Sequence, residues 1–290
     1  MIECLVSVII PAYNREDTIV RAIDSVLKQT YQNIEVIIVD DCSTDNTEMA
    51  VKSIHDNRLS YYKLNKNSGA CVARNEGVKI SKGTIVAFQD SDDFWHSDKL
   101  AKQLQFMETH NYEFVSCGFR RVSGSRYTEH GTFETPIEGV DIWCQLLNSN
   151  WISTQTIVCY KYCFDKIAFD PTIKRYQDLD LALQCSQIYK MGHLTEVLVD
   201  VYLQENSITN TVKNSSAKLA IIEKHTVDVK DNKNMKAQIF KSLADLNRKA
   251  KSFRASKYYW KSFLVKPNAK IALNAMLCYV GFFKLYNTRQ

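Results

Sequence analysis

The sequence predicts an α/β fold: a mostly parallel central sheet flanked by helices, followed by a helical C-terminal region. Apolar, β-branched runs alternate with stretches of helical periodicity over roughly the first 110 residues, the pattern of a parallel sheet covered on both faces. Three of the runs end in polar clusters: Pro11-Ala12-Tyr13-Asn14, Asp40-Asp41 and Asp90-Ser91-Asp92-Asp93. From residue 215 onward the chain reads as helical, without a clear repeat. With 45% hydrophobic and 24% charged residues, the 290-residue chain can bury a core. Nine Gly and four Pro argue against collagen-like or long disordered segments.

Residues 6–10 are a buried strand ended by Pro11. Asn14 suits a helix cap, with Asp17 near the positive end. Ile19, Ala22, Ile23, Val26 and Leu27 then fall at helical spacing. Residues 34–39 form a second strand, stopped by Asp40-Asp41, and residues 43–46 offer caps for a short helix reaching Ile54. A third strand covers 59–64. Gly69 precedes a helix through Ile80, and 84–88 is a fourth strand. Ser97 caps a helix to His110, and 114–122 is a further strand. Residues 123–150 are irregular, 152–160 read as a strand, and Gln177-Asp178 open a helix through Tyr189. The polar stretch 206–216 marks a boundary near 210. This gives a domain over 1–210, with halves 1–122 and 123–210, and a basic helical region over 211–290.

In open sheets of this kind, ligands bind beyond the carboxyl ends of the strands. The three polar clusters therefore converge on one crevice. Three carboxylates in four residues at 90–93 repel one another unless a cation or solvent relieves them. Oxygen ligands suit magnesium or manganese; solvated turn acids or helix caps are the other reading. Of Asp40-Asp41, Asp40 reads as structural, and Asp41 suits a ring N–H or a sugar hydroxyl. Tyr13 suits stacking on a flat base, or is a half-buried loop aromatic. Arg74 suits a phosphate or the acidic cluster, or a solvated helix face. Asp178 suits a general base, or a helix cap.

Other classes are disfavoured. There is no Walker A sequence and no Gly-rich dinucleotide loop, and the acidic cluster lacks the glycine and distal glutamate of an EF-hand. Nine scattered cysteines without a C-x-x-C pair point to reduced thiols in a cytosolic protein rather than a zinc site. No apolar run reaches the ~18 residues of a membrane span, and the first residues lack the pattern of a signal peptide.

The blocks VSVIIPAYN (6–14), SVLKQT (25–30), IIVDDCSTD (37–45), NSGACVARNEG (67–77) and FQDSDDFWHSDKL (88–100), in this order, closely resemble family 2 inverting glycosyltransferases of the GT-A fold. The resemblance covers 4–122, continues more weakly to 210 and leaves 215–290 outside. It implies a nucleotide-sugar donor site. Pro11 and Tyr13 would flank the base, Asp41 would bond its ring nitrogen, most often of uracil, and Arg74 would lie near base or phosphates. Asp90 would face the ribose, with Ser91 beside it. Asp92 would bind Mn2+ or Mg2+ bridging the diphosphate, with Asp93 outside the metal's ligands.

The family usually carries Glu-Asp at the start of a late helix, the Asp being the catalytic base. Here the pair is Gln177-Asp178, with Asp180 a weaker candidate. Two basic features that often follow in the family are missing from Leu183-Gln184-Cys185 and Tyr202-Leu203-Gln204-Glu205. The implied activity is transfer of a sugar, from a UDP-sugar, to a hydroxyl of a glycan or lipid-linked acceptor in cell-surface polysaccharide synthesis. The alternatives are a catalytically inactive nucleotide-sugar-binding scaffold of a glycan assembly complex and, more weakly, a nucleotidyltransferase.

Charge is uneven. Residues 241–290 carry eleven Lys/Arg and one acid, a net +10, against −5 for the rest. Residues 270–286 are rich in apolar and aromatic side chains flanked by lysines. They suit an interfacial helix on an anionic membrane surface, at the cytoplasmic face. A packed helical subdomain with a solvated basic face is the other reading. No nucleic-acid motif accompanies the charge, so no nucleic-acid partner is expected.

Overall fold

A computed structural model describes residues 4–132, 137–138, 142, 145–146, 150–203, 214–226, 233–249 and 252–281. The chain divides into two compact units, Met1–Trp143 with Asn150–Ser207, and Cys144–Ser149 with Ile208–Gln290.

The first unit is built on one sheet, ten-stranded among the described residues: β1 (Val6–Ala12), β2 (Ile34–Asp40), β3 (Leu59–Lys63), β4 (Ile85–Phe88), β5 (Phe94–Trp95), β6 (Phe114–Ser123), β7 (Arg126–His130), β8 (Ile137–Glu138), β9 (Val158–Tyr160) and β10 (Met191–Tyr202). The order is β3-β2-β1-β4-β9-β6-β10-β5, with β7 on β6 and β8 on β10. Pairing is parallel from β3 to β4 and between β6 and β10. β9 runs antiparallel to both of its neighbours, and β5, β7 and β8 are reversed as well. The sheet is therefore mixed, where the sequence predicts mostly parallel. A parallel neighbour needs a crossover, usually a helix; β7 instead follows β6 through a two-residue turn, Gly124-Ser125, and so pairs with it antiparallel.

Helices cover both faces. α1 (Ile19–Leu27), α2 (Thr47–Lys52) and α4 (Lys99–His110) turn Ile19, Ile23, Val26, Val51, Leu100, Leu104 and Met107 into one buried cluster with Val8 of β1, Val36 of β2 and Val115 of β6. α3 (Ala70–Ile80) lies on the opposite face, where Ala73 meets Ile37 and Val39. Gly77 lets α3 settle onto the sheet: a Cβ there would stand 2.4 Å from Ile9 Cγ2. α5 (Gln177–Ser186) follows Tyr176, whose φ of 61° is left-handed.

Three local expectations are corrected. Asn14 does not cap α1; at φ 51° its Oδ1 accepts from Thr44 N (2.9 Å), tying the β1 loop to the β2 loop. Ser97 does not cap α4, whose cap position is Asp98. Of residues 152–160 only Val158–Tyr160 is a strand, because Ser153 caps a 3-10 turn at Thr154–Thr156.

The second unit contains α6 (Asn214–Thr226), α7 (Lys233–Lys249), α8 (Arg254–Val265) and α9 (Ala269–Tyr279). Ala244, Ala255, Tyr259, Ala275 and Cys278 form its buried cluster, and Tyr259 OH donates to Asp245. Asn268 caps α9 by accepting from Lys270 N (3.0 Å) and Ile271 N (3.3 Å). The polar stretch at 206–213 and the apolar residues 282–286 lie outside the described residues.

Candidate active site

The site is assembled at the carboxyl ends of β1, β2 and β4. Pro11 is buried in β1, and the pairing to β4 ends at Ile9, short of the proline that cannot donate. Tyr13, just beyond the strand, is 43% exposed. Asp41 N donates to Ala12 O (2.8 Å), joining the ends of β1 and β2. The Asp41 carboxylate is buried and accepts from Ser68 N and Gly69 N, both at 2.7 Å. It thereby fixes the turn into α3, where Gly69 takes φ 91°. Asp40 is structural: its Oδ1 accepts from Ser43 N (2.7 Å) and its Oδ2 from Tyr61 OH.

Beyond β4 the acidic cluster forms a tight turn closed by Asp93 N donating to Asp90 O (3.2 Å). Its three carboxylates face different partners. Asp90 Oδ1 accepts from Arg74 Nη2 at 2.7 Å. Asp92 Oδ2 stands 3.7 Å from Arg15 Nε, and Arg21 Nη2 donates to the Asp92 carbonyl. Asp93 turns inward and accepts from Gln155 Nε2 (2.8 Å) and Tyr202 N (3.0 Å). Burial first, then the charge of Asp90, raises the Asp92 carboxyl above its ordinary value, and Arg15 opposes that. Asp93 is raised well above it by burial, with Asp90 and Asp92 adding to the effect. Ser91 is buried inside the turn.

Arg74 joins this turn to the start of α5. It is 6% exposed, not a residue of a solvated helix face. Nη1 donates to Gln177 Oε1 (3.0 Å), opposite the Asp90 bond, and the guanidinium carbon lies 5.4 Å from the centre of the Phe169 ring. Its Nε has no hydrogen-bond partner among the described residues. Gln177, where the family usually has Glu, thus keeps an oxygen on the guanidinium. Gln177 Nε2 donates to Ile173 O (2.9 Å).

Asp178 Oδ1 accepts from Leu179 N (2.7 Å) and Asn150 Nδ2 (3.3 Å). Burial raises its carboxyl to about 6; the Leu179 N–H, Arg74 and Asn150 pull it down, and Asp90 pushes it up. A carboxyl at that value is ionised at neutral pH, which is compatible with a general base. Asp180, the weaker candidate, is buried and accepts from Gln184 Nε2 (2.7 Å).

The structure thus groups Arg74 with Asp90, Gln177 and Asp178, and Asp92 with Arg15. Tyr13, Pro11 and Asp41 sit at the neighbouring strand ends. The sequence reading missed Arg15, Arg21, Asn150, Gln155 and Phe169. A cation two residues beyond Tyr13, in a crevice with three carboxylates, was the available signal for Arg15. The arrangement offers oxygen donors on a tight turn, a buried guanidinium and a carboxyl raised by burial.

Residues 7–164 match the model of Glycosyl transferase family 2. Over 110 residues the chain is 50% identical to the Escherichia coli UDP-Glc:alpha-D-GlcNAc-diphosphoundecaprenol beta-1,3-glucosyltransferase WfaP, covering 38% of this chain and 44% of that protein. Matches to several other curated relatives likewise take in less than half of their length. Among solved structures, S. aureus TarS 1–349 superposes with a TM-score of 0.68 at 19% identity, over 96% of this chain and 88% of that one. TarS has also been solved with UDP and with UDP-GlcNAc. The mannosyltransferase PcManGT from Pyrobaculum calidifontis, solved with GDP-Man and Mn2+, superposes with a TM-score of 0.61 at 16% identity, over 98% and 88%. These likenesses show the GT-A fold. With a family model spanning over half of its length, the chain belongs to glycosyl transferase family 2.

Proposed function

We propose that this chain is an inverting glycosyltransferase that moves a sugar from a nucleoside diphosphate, UDP foremost, to a hydroxyl of a glycan or lipid-linked acceptor in cell-surface polysaccharide synthesis. The observation that carries the reading is the Arg74 bridge. One guanidinium bonds both Asp90, on the donor side, and Gln177, the residue before the candidate base. A donor placed along the strand ends lies beside Asp178.

Asp178 takes the proton of the acceptor hydroxyl as that oxygen attacks the anomeric carbon, and the bond to the diphosphate breaks on the opposite side. One displacement without a covalent intermediate inverts the configuration. Asn150 and Leu179 N hold the carboxylate in place. Tyr13 and Asp41 hold the base, Pro11 shapes the strand end beneath it, and Ser91 keeps the acidic turn tight.

Asp92 would hold Mn2+ or Mg2+, with Asp90 facing the ribose. The donor set is all oxygen, as these ions require, and burial with the charge of Asp90 disfavours ionisation of Asp92, which a cation relieves. When bound, the cation stabilises charge on the departing diphosphate.

The test is transfer by purified protein, with Asp178→Asn beside wild type. The variant is expected to keep UDP affinity within about twofold and to lose transfer by at least about a hundredfold, the scale of general base catalysis. Full activity in the variant would remove Asp178 from the mechanism. A wild type that binds UDP without ever transferring would favour the scaffold reading.

Association with an anionic membrane surface at the cytoplasmic face belongs to the same proposal. In the basic C-terminal unit Phe253, Leu264, Met276, Tyr279 and Val280 are exposed. Among the described residues no helix is long and apolar enough to cross a membrane.

A further inference from the structure

Asp92 already has a counter-ion from its own chain. Arg15 Nε is 3.7 Å from Asp92 Oδ2, an ion pair longer than a hydrogen bond, with the two side chains 36% and 25% exposed. The arginine is held from behind. Its backbone N donates to Thr47 Oγ1 (2.7 Å), and Nη1 donates to the carbonyls of Tyr13 (3.2 Å) and Asn14 (3.0 Å). Among the described residues Nη2 makes no hydrogen bond. The fork therefore stands between Tyr13, at the base end of the proposed donor site, and Asp92, at its metal end. A diphosphate joins those two ends of a nucleotide-sugar. The acidic turn does not depend on Arg15 for its shape, because Arg21 holds the Asp92 carbonyl and stacks 4.1 Å from the centre of the Tyr202 ring.

We propose that Arg15 is an exchange residue of the donor site: it neutralises Asp92 until a nucleoside diphosphate and its divalent cation bind together, then yields Asp92 to the cation and turns its fork onto the diphosphate. This rests on the donor site proposed above. A guanidinium and a divalent cation compete for one carboxylate, so Arg15 weakens binding of the metal alone. The planar fork suits phosphate oxygens, so Arg15 strengthens binding of the metal–nucleotide pair. The two ligands are thereby coupled, and the metal enters with the nucleotide.

The experiment titrates Mn2+ alone, read by the electron paramagnetic resonance of free Mn2+, into wild type, Arg15→Gln and Arg15→Lys. UDP is then titrated by calorimetry at fixed Mn2+. Arg15→Gln is expected to bind Mn2+ alone about threefold to fivefold more tightly, the scale of an exposed ion pair. It is expected to bind UDP with Mn2+ about tenfold or more weakly, the scale of a charge-assisted bond to phosphate. Arg15→Lys should keep Mn2+ affinity low and recover only part of the UDP affinity. Unchanged affinities in Arg15→Gln, or a parallel fall in both, would overturn the proposal while leaving the donor site standing. A wild type that binds neither ligand would overturn the donor site as well.

Discussion

Asp178 and Arg74 make the sharpest predictions at the scale of single residues. The raised Asp178 carboxyl must be ionised to act as a base. kcat/KM is therefore expected to climb about tenfold per pH unit below 6 and to level off above it; a pH–rate profile measures this. The folded state binds this proton more tightly than the unfolded chain, so the ionised group lowers stability as pH rises through 6. Asp178→Asn should then melt higher at pH 8, by about 1 kcal/mol or more. Arg74→Ala strips the cation from Asp90 and from Asp178. Denaturant melts should show a loss of about 2 kcal/mol, below the 3–5 of a fully buried pair because Asp90 is partly exposed. The acidic limb should move to higher pH, since Arg74 favours the ionised base. Lysine cannot bond Asp90 and Gln177 from one planar fork, so Arg74→Lys should restore the limb through its charge but not the lost stability in full. The carboxylates at 90–93 were legible because three acids at a strand end are costly without a partner. Arg15 on Asp92, and Asn150 on Asp178, were not. Those pairings span 77 and 28 residues and exist only once the sheet order is known.

Among elements, α3 positions Arg74, and Gly77 positions α3. A methyl at 77 would meet Ile9 Cγ2 at 2.4 Å and Val39 Cγ2 at 3.3 Å, both inside the core. Gly77→Ala is expected to destabilise the protein by about 1–3 kcal/mol. It should also weaken UDP binding, because lifting α3 carries Arg74, one turn earlier, away from Asp90; thermal melts and calorimetry check the two effects. The strands β1 to β4 were readable, each being an apolar run bracketed by helix signals. β5, β8 and β9 have two, two and three residues. No periodicity shows in so short a run, so although strands were expected at 114–122 and 152–160, the reversed pairings of this half could not be read. Asn14 misled because a cap and a loop staple draw on the same short amide, and only the adjacent β2 loop decides between them.

For the whole molecule, the basic C-terminal unit is the part to test against lipid. The full chain is expected to co-sediment with phosphatidylglycerol-containing vesicles and to be released by salt, as screening of a basic patch requires. Replacing exposed Phe253, Leu264 and Met276 by Ser should reduce binding at low salt; equal binding to neutral vesicles would argue against a charge-led surface. The +10 segment was visible from composition, but which apolar side chains remain exposed was not, since Ala275 and Cys278 on α9 are buried while Met276 and Tyr279 are not.

The Asp41 carboxylate carries a further consequence for nucleotide choice. Both of its oxygens already act as acceptors, taking the backbone N–H groups at 68–69. A base edge presented to it must therefore offer a donor. Uracil and guanine carry a ring N–H at that edge, whereas cytosine and adenine present a lone pair and leave two acceptors face to face. With the base placed against Asp41 as proposed, CDP and ADP should bind about a hundredfold or more weakly than UDP in a panel of nucleoside diphosphates, a discrimination by the direction of one proton rather than by size.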